Sequence, residues 1–90
     1  MLKNRIVLIT GASAGIGAAC AATFAREGCR LILAARRLEK LQEIATGLEA
    51  EHGTACHLIE LDVRDREKVN AAVEGLGPDW KDIDILVNNA

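Results

Sequence analysis

Ninety residues bound the chain to one small domain, and a domain of that size buries only about 60–65% of the surface its unfolded chain exposes, so its stability margin is thin. Half of the residues are apolar and the only aromatic side chains are Phe24 and Trp80, so the core must be aliphatic and rich in alanine. A formal net charge of −2 excludes a general pull toward nucleic acid or an anionic membrane, and no apolar run approaches the ~20 residues of a membrane span.

The opening MLKNRIVLIT has a basic start and a short apolar run, but Gly11 interrupts it before it reaches the length of a signal peptide. Within it, residues 5–10 (RIVLIT) form a β-branched run that reads as a buried strand. The turn TGASAGIG follows over residues 10–17. From Gly15 onward, Ile16, Ala19, Cys20, Thr23 and Phe24 recur at the spacing of one helix face. Gly28 stands where a glycine ends a helix. Residues 30–35 (RLILAA) are the second strand. A second helix is expected over 36–52, with Leu38, Leu41, Ala45 and Leu48 on one face and a solvated charged surface opposite, and Gly53 marks its exit.

Residues 55–61 (ACHLIEL) read as the third strand. Asp65 suits the N-cap of a third helix over 66–76, with Val69, Val73 and Leu76 as its apolar stripe. The segment GPDWKDID is a loop announced by Gly77-Pro78, and DILVNNA, residues 84–90, is the fourth strand. The three cysteines, Cys20, Cys29 and Cys56, are odd in number and fit no C-x-x-C pair. They read as free thiols in a reducing compartment, which predicts a cytoplasmic protein. Cys56-His57 has no second ligand pair, so it reads as an ordinary strand pair and not as half of a metal site.

Strands alternating with helices require crossover connections, hence an α/β fold: a four-stranded parallel sheet with helices on both faces. Right-handed crossovers leave two strand orders. Order 3-2-1-4 is half of a Rossmann fold, and order 2-1-3-4 is the flavodoxin-like alternative. The turn after the first strand separates them. Gly11 permits a sharp turn off the strand, Gly15 permits close approach of a ligand to the backbone, and Gly17 permits tight helix packing. The helix start offers unpaired N–H groups and partial positive charge to a phosphate, and Ser13 adds a hydroxyl. A Walker A loop is excluded, because Ala18 and Ala19 follow Gly17 where Lys and Ser/Thr would be needed.

The end of the second strand, about 20 residues further on, faces the adenosine ribose in this architecture. An acid there selects NAD, whereas arginine accommodates the 2′-phosphate of NADP. Here the chain reads Ala34-Ala35-Arg36-Arg37, with no acid and two guanidiniums. Cations are disfavoured at a helix start unless something offsets them. At the end of the third strand, Asp62-Val63 suits either an adenine edge or, through Asp62, the cap of the next helix.

The motifs TGASAGIG, LDV and NNA, in this order and spacing, resemble the short-chain dehydrogenase/reductase family across all 90 residues. AARR resembles its NADP-preferring members, and DWKDIDILVNNA is similar to the group that oxidises 3-hydroxy acids such as serine and allo-threonine. The resemblance implies that the backbone of Gly11, Ser13, Ala14, Gly15 and Ile16 holds the pyrophosphate, with Gly17 completing the turn. It implies that Arg36 and Arg37 hold the 2′-phosphate of NADP and that Asp62 and Val63 frame the adenine. Asn89 would lie on the ribose side, with Asn88 stabilising the sheet behind it.

Members of the family continue beyond this point with a catalytic Ser and a Tyr-x-x-x-Lys pair, and this sequence has no tyrosine. The expectation is therefore a dinucleotide-binding half domain over 1–90, cut before the catalytic half and inactive alone. Its partners are the dinucleotide, not nucleic acid or membrane. It is expected to form a homo-oligomer through an exposed fourth strand or the adjacent helices, unless a C-terminal half covers them. A stand-alone NADP(H)-binding or sensor module and a structural fragment that binds nothing are the alternatives.

Overall fold

A computed structural model of the chain describes residues 2–13 and 15–89. The elements run β1 (Ile6–Thr10), α1 (Gly15–Arg26), β2 (Arg30–Ala35), α2 (Leu38–His52), β3 (Cys56–Glu60), α3 (Arg66–Glu74) and β4 (Ile85–Asn88). The sheet is parallel with order β3-β2-β1-β4, the Rossmann order, and the flavodoxin-like alternative is set aside. The central position of β1 explains its sequence: all five of its residues are buried, so an apolar run with no polar alternation is what the site demands.

Alternate residues of the strands feed two cores. Val7, Ile9, Leu31 and Leu33 pack with Ala21 and Ala25 of α1 and with Leu41 and Leu48 of α2. Ile6, Leu8, Ile32 and Ala34 on the opposite face are covered by Val73 of α3 and by Leu76, Trp80 and Ile83 of the following loop. The loop is anchored by Trp80, which lies 5.6 Å from both the Arg30 guanidinium and the His57 ring. An Arg30 Nη1 hydrogen bond to the Asp79 carbonyl, at 2.8 Å, fixes the same loop. Asp84 completes the connection: its carboxylate accepts from the Ile6 N–H at 2.9 Å and from Arg5 Nη1 at 3.2 Å, which aligns β4 with β1.

The expected apolar face of α1 is corrected. Ile16 is 73% exposed, and Ala19 and Thr23 are also exposed. The buried residues are Gly17, Ala21 and Ala25, with Cys20 and Phe24 packed alongside. The start of α1 lies close against the turn after β1 at Gly17, so the smallest residues face inward and the stripe is rotated by one position.

Several boundaries also move. Helix α2 begins at Leu38, because Arg37 is still extended and serves as its N-cap. Helix α3 stops at Glu74, where the Gly75 N–H closes the last turn onto the Ala71 carbonyl. Strands β1 and β3 are each a residue or two shorter than the apolar runs that announced them. No residue of α3 is fully buried, so that face of the sheet is the more thinly covered one. No helix among the described residues is long and apolar enough to cross a membrane.

Candidate functional site

A cleft of about 550 Å³ opens at the C-terminal ends of the strands, lined by Gly11, Ser13, Ala35, Arg36, Arg37, Asp62, Val63, Arg64 and Asn89. Its position follows from topology. Helices α1 and α2 leave β1 and β2 from the same edge of the sheet, and the turns that start them form the walls. Ligands of open α/β sheets lie at such strand ends.

The first wall is the glycine turn. Gly11 has φ +66°, in the left-handed region, and a side chain there would run into the Asn89 backbone. A Cβ on Gly17 would collide with the Gly11 carbonyl oxygen and come within 3.0 Å of Asn89 Nδ2. The Ala12 N–H donates to the Ala34 carbonyl at 3.3 Å, which ties the turn to β2. These contacts explain Gly11 and Gly17 through the protein's own packing. Gly15 differs: it is exposed, and a Cβ there would meet nothing within 4 Å beyond its chain neighbours and its own helix backbone. Nothing among the described residues demands a glycine at that position. Ile16 points outward and does not line the cleft. Ala14, also expected at the site, lies outside the described residues.

The second wall is the end of β2. Ala35 is buried and small, and Arg36 and Arg37 are exposed. Among the described residues neither arginine has an ion-pair partner. Arg37 occupies the N-cap of α2 without any side-chain capping bond. Ser, Asn or Asp in that position would stabilise the helix by about 1 kcal/mol relative to a residue that cannot cap. Two unpaired cations where the helix dipole opposes them form a local conflict of the kind that marks binding sites.

The third wall follows β3. Asp62 does not cap α3; Asp65 does, accepting from the Lys68 N–H at 3.2 Å. The Asp62 carboxylate is instead held by Arg64, through Nε at 3.1 Å, Nη2 at 3.0 Å and the backbone N–H at 3.0 Å. The side-chain bonds from Arg64, then its backbone N–H, hold the Asp62 carboxyl down to about 2. Val63 packs against the core below and so fixes this edge. Arg64 was not anticipated from the sequence, where it reads as one more loop cation. The signal available was the D-x-R spacing directly after a strand, which suits an Asx turn.

Asn89 closes the cleft. Its N–H donates to Thr10 Oγ1 at 3.2 Å, and its side chain reaches the Gly11 carbonyl at 3.5 Å. Asn88 accepts the Thr10 hydroxyl at 3.0 Å. Thr10, also missed in the sequence, thus joins the ends of β1 and β4.

Taken together the lining offers an anion-accepting turn, a small residue, free guanidiniums and a polar–apolar edge. That donor set fits a phosphorylated nucleotide, and the space beside Gly15 leaves room for its backbone approach. Among the described residues no three His, Cys, Asp or Glu side chains are grouped to hold a metal ion.

The pattern of the family described as short chain dehydrogenase matches residues 5–90. Serine 3-dehydrogenase of Rhizobium radiobacter is 45% identical over 84 residues, covering 93% of this chain and 32% of that protein. The NADP-dependent 3-hydroxy acid dehydrogenase of Schizosaccharomyces pombe is 41% identical over 90 residues, covering 99% of this chain and 35% of that protein. Among solved structures, L-sorbose reductase of Gluconobacter frateurii complexed with NADPH and L-sorbose superposes with a TM-score of 0.90 at 39% identity. That match covers 99% of this chain and 34% of the reductase. The chain therefore spans about a third of the length of these proteins. With a family match over nearly its whole length, on the Rossmann strand order and around a glycine-turn cleft, the chain belongs to the short-chain dehydrogenase family.

Proposed function

We propose that residues 1–90 form the dinucleotide-binding unit of an NADP-dependent oxidoreductase. In this reading Gly11, Ser13, Ala14, Gly15, Ile16 and Gly17 make the pyrophosphate turn. Arg36 and Arg37 take the 2′-phosphate, Asp62 and Val63 frame the adenine, and Asn89 borders the adenosine ribose. Bound cofactor would exchange hydride with an alcohol or carbonyl substrate. The observation that carries the reading is the end of β2: a small buried Ala35 followed by two exposed arginines without ion-pair partners among the described residues, lining one cleft with the glycine turn.

The serine and 3-hydroxy acid dehydrogenases among the relatives support a 3-hydroxy acid as the substrate class. Chemistry on such a substrate needs a titratable group within hydrogen-bond reach of the reacting oxygen. The tyrosine that the family resemblance implies for that task is absent from these 90 residues, so the 90-residue polypeptide is expected to bind cofactor without turnover.

Calorimetric titration with NADPH and NADH tests the cofactor. A charge-assisted contact contributes about 1.5–3 kcal/mol, so NADPH should bind at least about tenfold more tightly than NADH. The difference should shrink at high salt. Equal affinities for the two would refute the reading.

A further inference from the structure

Asp62 raises an electrostatic difficulty at a cleft read as a phosphate site. It places a carboxylate, ionised down to a pH of about 2, in the lining shared with Arg36 and Arg37. Arg36 lies close enough for its charge to help hold that carboxyl down. Left alone, Asp62 would draw Arg36 toward itself and repel a dianionic phosphate. The structure supplies an answer in Arg64, whose guanidinium and backbone N–H occupy both carboxylate oxygens in a fork. The pair is exposed, at 72% for Arg64 and 36% for Asp62, so it adds little to stability. Its consequence lies in the charges of the cleft. Three arginines and one aspartate line the cleft, and the carboxylate is engaged by the one arginine of the three that is not at the end of β2.

We infer that Arg64 is a positioning residue for cofactor selection: by engaging Asp62 it leaves Arg36 and Arg37 free for the 2′-phosphate. The inference rests on the reading of the cleft as an NADP site. It assigns to Asp62 a dependence that an adenine-framing role alone lacks. In this arrangement the acid at the adenine edge has its own cation in Arg64 and does not need Arg36 or Arg37. Selection between the two dinucleotides is then set by the ends of β2 and β3 together rather than by β2 alone.

The test uses adenosine 2′,5′-bisphosphate and adenosine 5′-monophosphate, which differ only in the 2′-phosphate, titrated calorimetrically against the full-length protein. In Arg64→Ala the affinity for the bisphosphate should fall roughly tenfold, from the uncompensated charge and the loss of Arg36 to Asp62. Affinity for the monophosphate should change by less than about threefold. Arg64→Gln, which keeps a hydrogen-bonding side chain without the charge, should behave as Arg64→Ala does. The double variant Asp62→Asn with Arg64→Ala should restore the ratio of the two affinities, because the charge needing an answer is gone. The ratio is internal to each protein, so a general loss of stability does not mimic it. Equal weakening toward both probes, or no rescue in the double variant, would overturn the inference. If the unsubstituted protein does not distinguish the probes, the NADP reading itself fails. If it does, and Arg36→Ala abolishes the distinction while Arg64→Ala leaves it intact, only the role of Arg64 fails.

Discussion

The Thr10 hydroxyl donates to Asn88 Oδ1 at 3.0 Å, joining the last residues of two neighbouring parallel strands. The same oxygen accepts the N–H of Asn89, the residue that borders the cleft. Thr10 is buried, so its hydroxyl is not exchanged for water without cost. Thr10→Val keeps the side-chain shape and strips both partners. It should lower stability by about 1–3 kcal/mol, because two polar groups at the strand ends lose their partner. Thr10→Ser keeps the hydroxyl and should lie near the unsubstituted protein. Urea unfolding of the two variants checks this, and equal midpoints for Val and Ser would contradict it.

The glycines of the turn separate packing from binding. A Cβ at Gly17 meets the Gly11 carbonyl, so Gly17→Ala should destabilise by about 1–3 kcal/mol as a helix is forced off the turn. A Cβ at Gly15 meets nothing within 4 Å, and alanine is the better helix former by up to about 1 kcal/mol. Gly15→Ala should therefore melt no lower than the parent. Its affinity for NADPH should nonetheless drop at least about tenfold, because the methyl group occupies the ligand's approach. Thermal melts and titration of the same two proteins give both readings. A Gly15→Ala protein that binds normally would remove the steric case for a ligand at that position.

What the sequence disclosed and what it withheld have different physical origins. The strands were legible because β1 and β2 are covered on both faces and their apolar runs leave no ambiguity. The turn was legible because Gly11 and Gly17 answer backbone contacts that no other residue tolerates. The face of α1 was misread because Ala18, Ala19, Ala21, Ala22 and Ala25 have the same hydropathy, and periodicity cannot choose among them. Packing chose, through the contact at Gly17, and it turned Ile16 outward. Arg64 was passed over for another reason. Its contact with Asp62 depends on a short turn that bends the guanidinium back onto the carboxylate, and the D-x-R spacing allows that turn without requiring it.

Strand β4 leads to an expectation about assembly. It pairs with β1 on one side, and among the described residues it has no partner on the other. Leu86 is in register with Leu8 and shares its face, yet it is 62% exposed whereas Leu8 is buried. An open strand edge bearing an exposed leucine favours pairing with another chain. The 90-residue polypeptide, taken alone, should self-associate, and Leu86→Lys should shift it toward monomer. Sedimentation across a range of concentrations checks this. A 9.6 kDa monomer at high concentration for the unsubstituted polypeptide would contradict the expectation.

Acid should loosen the same strand from the other end. Asp84 accepts the Ile6 N–H and pairs with Arg5, and the first of these contacts contributes most to holding its carboxyl below the ordinary range. A carboxylate whose folded pKa is depressed stabilises the fold fully above its unfolded value of about 4, and that stability is lost as pH falls through the folded value. Asp62 obeys the same rule between about 4 and about 2, but its pair with Arg64 lies in a loop, whereas Asp84 ties two strands together. Asp84→Asn keeps an acceptor for the Ile6 N–H and removes the charge. Its Tm should lie below that of the parent at pH 7, and the gap should close as both are titrated from pH 5 toward pH 2. Salt should narrow the part of the gap due to Arg5, which is exposed, more than the part due to the backbone bond. A gap independent of pH would mean that Asp84 acts through shape and hydrogen bonding alone, without its charge.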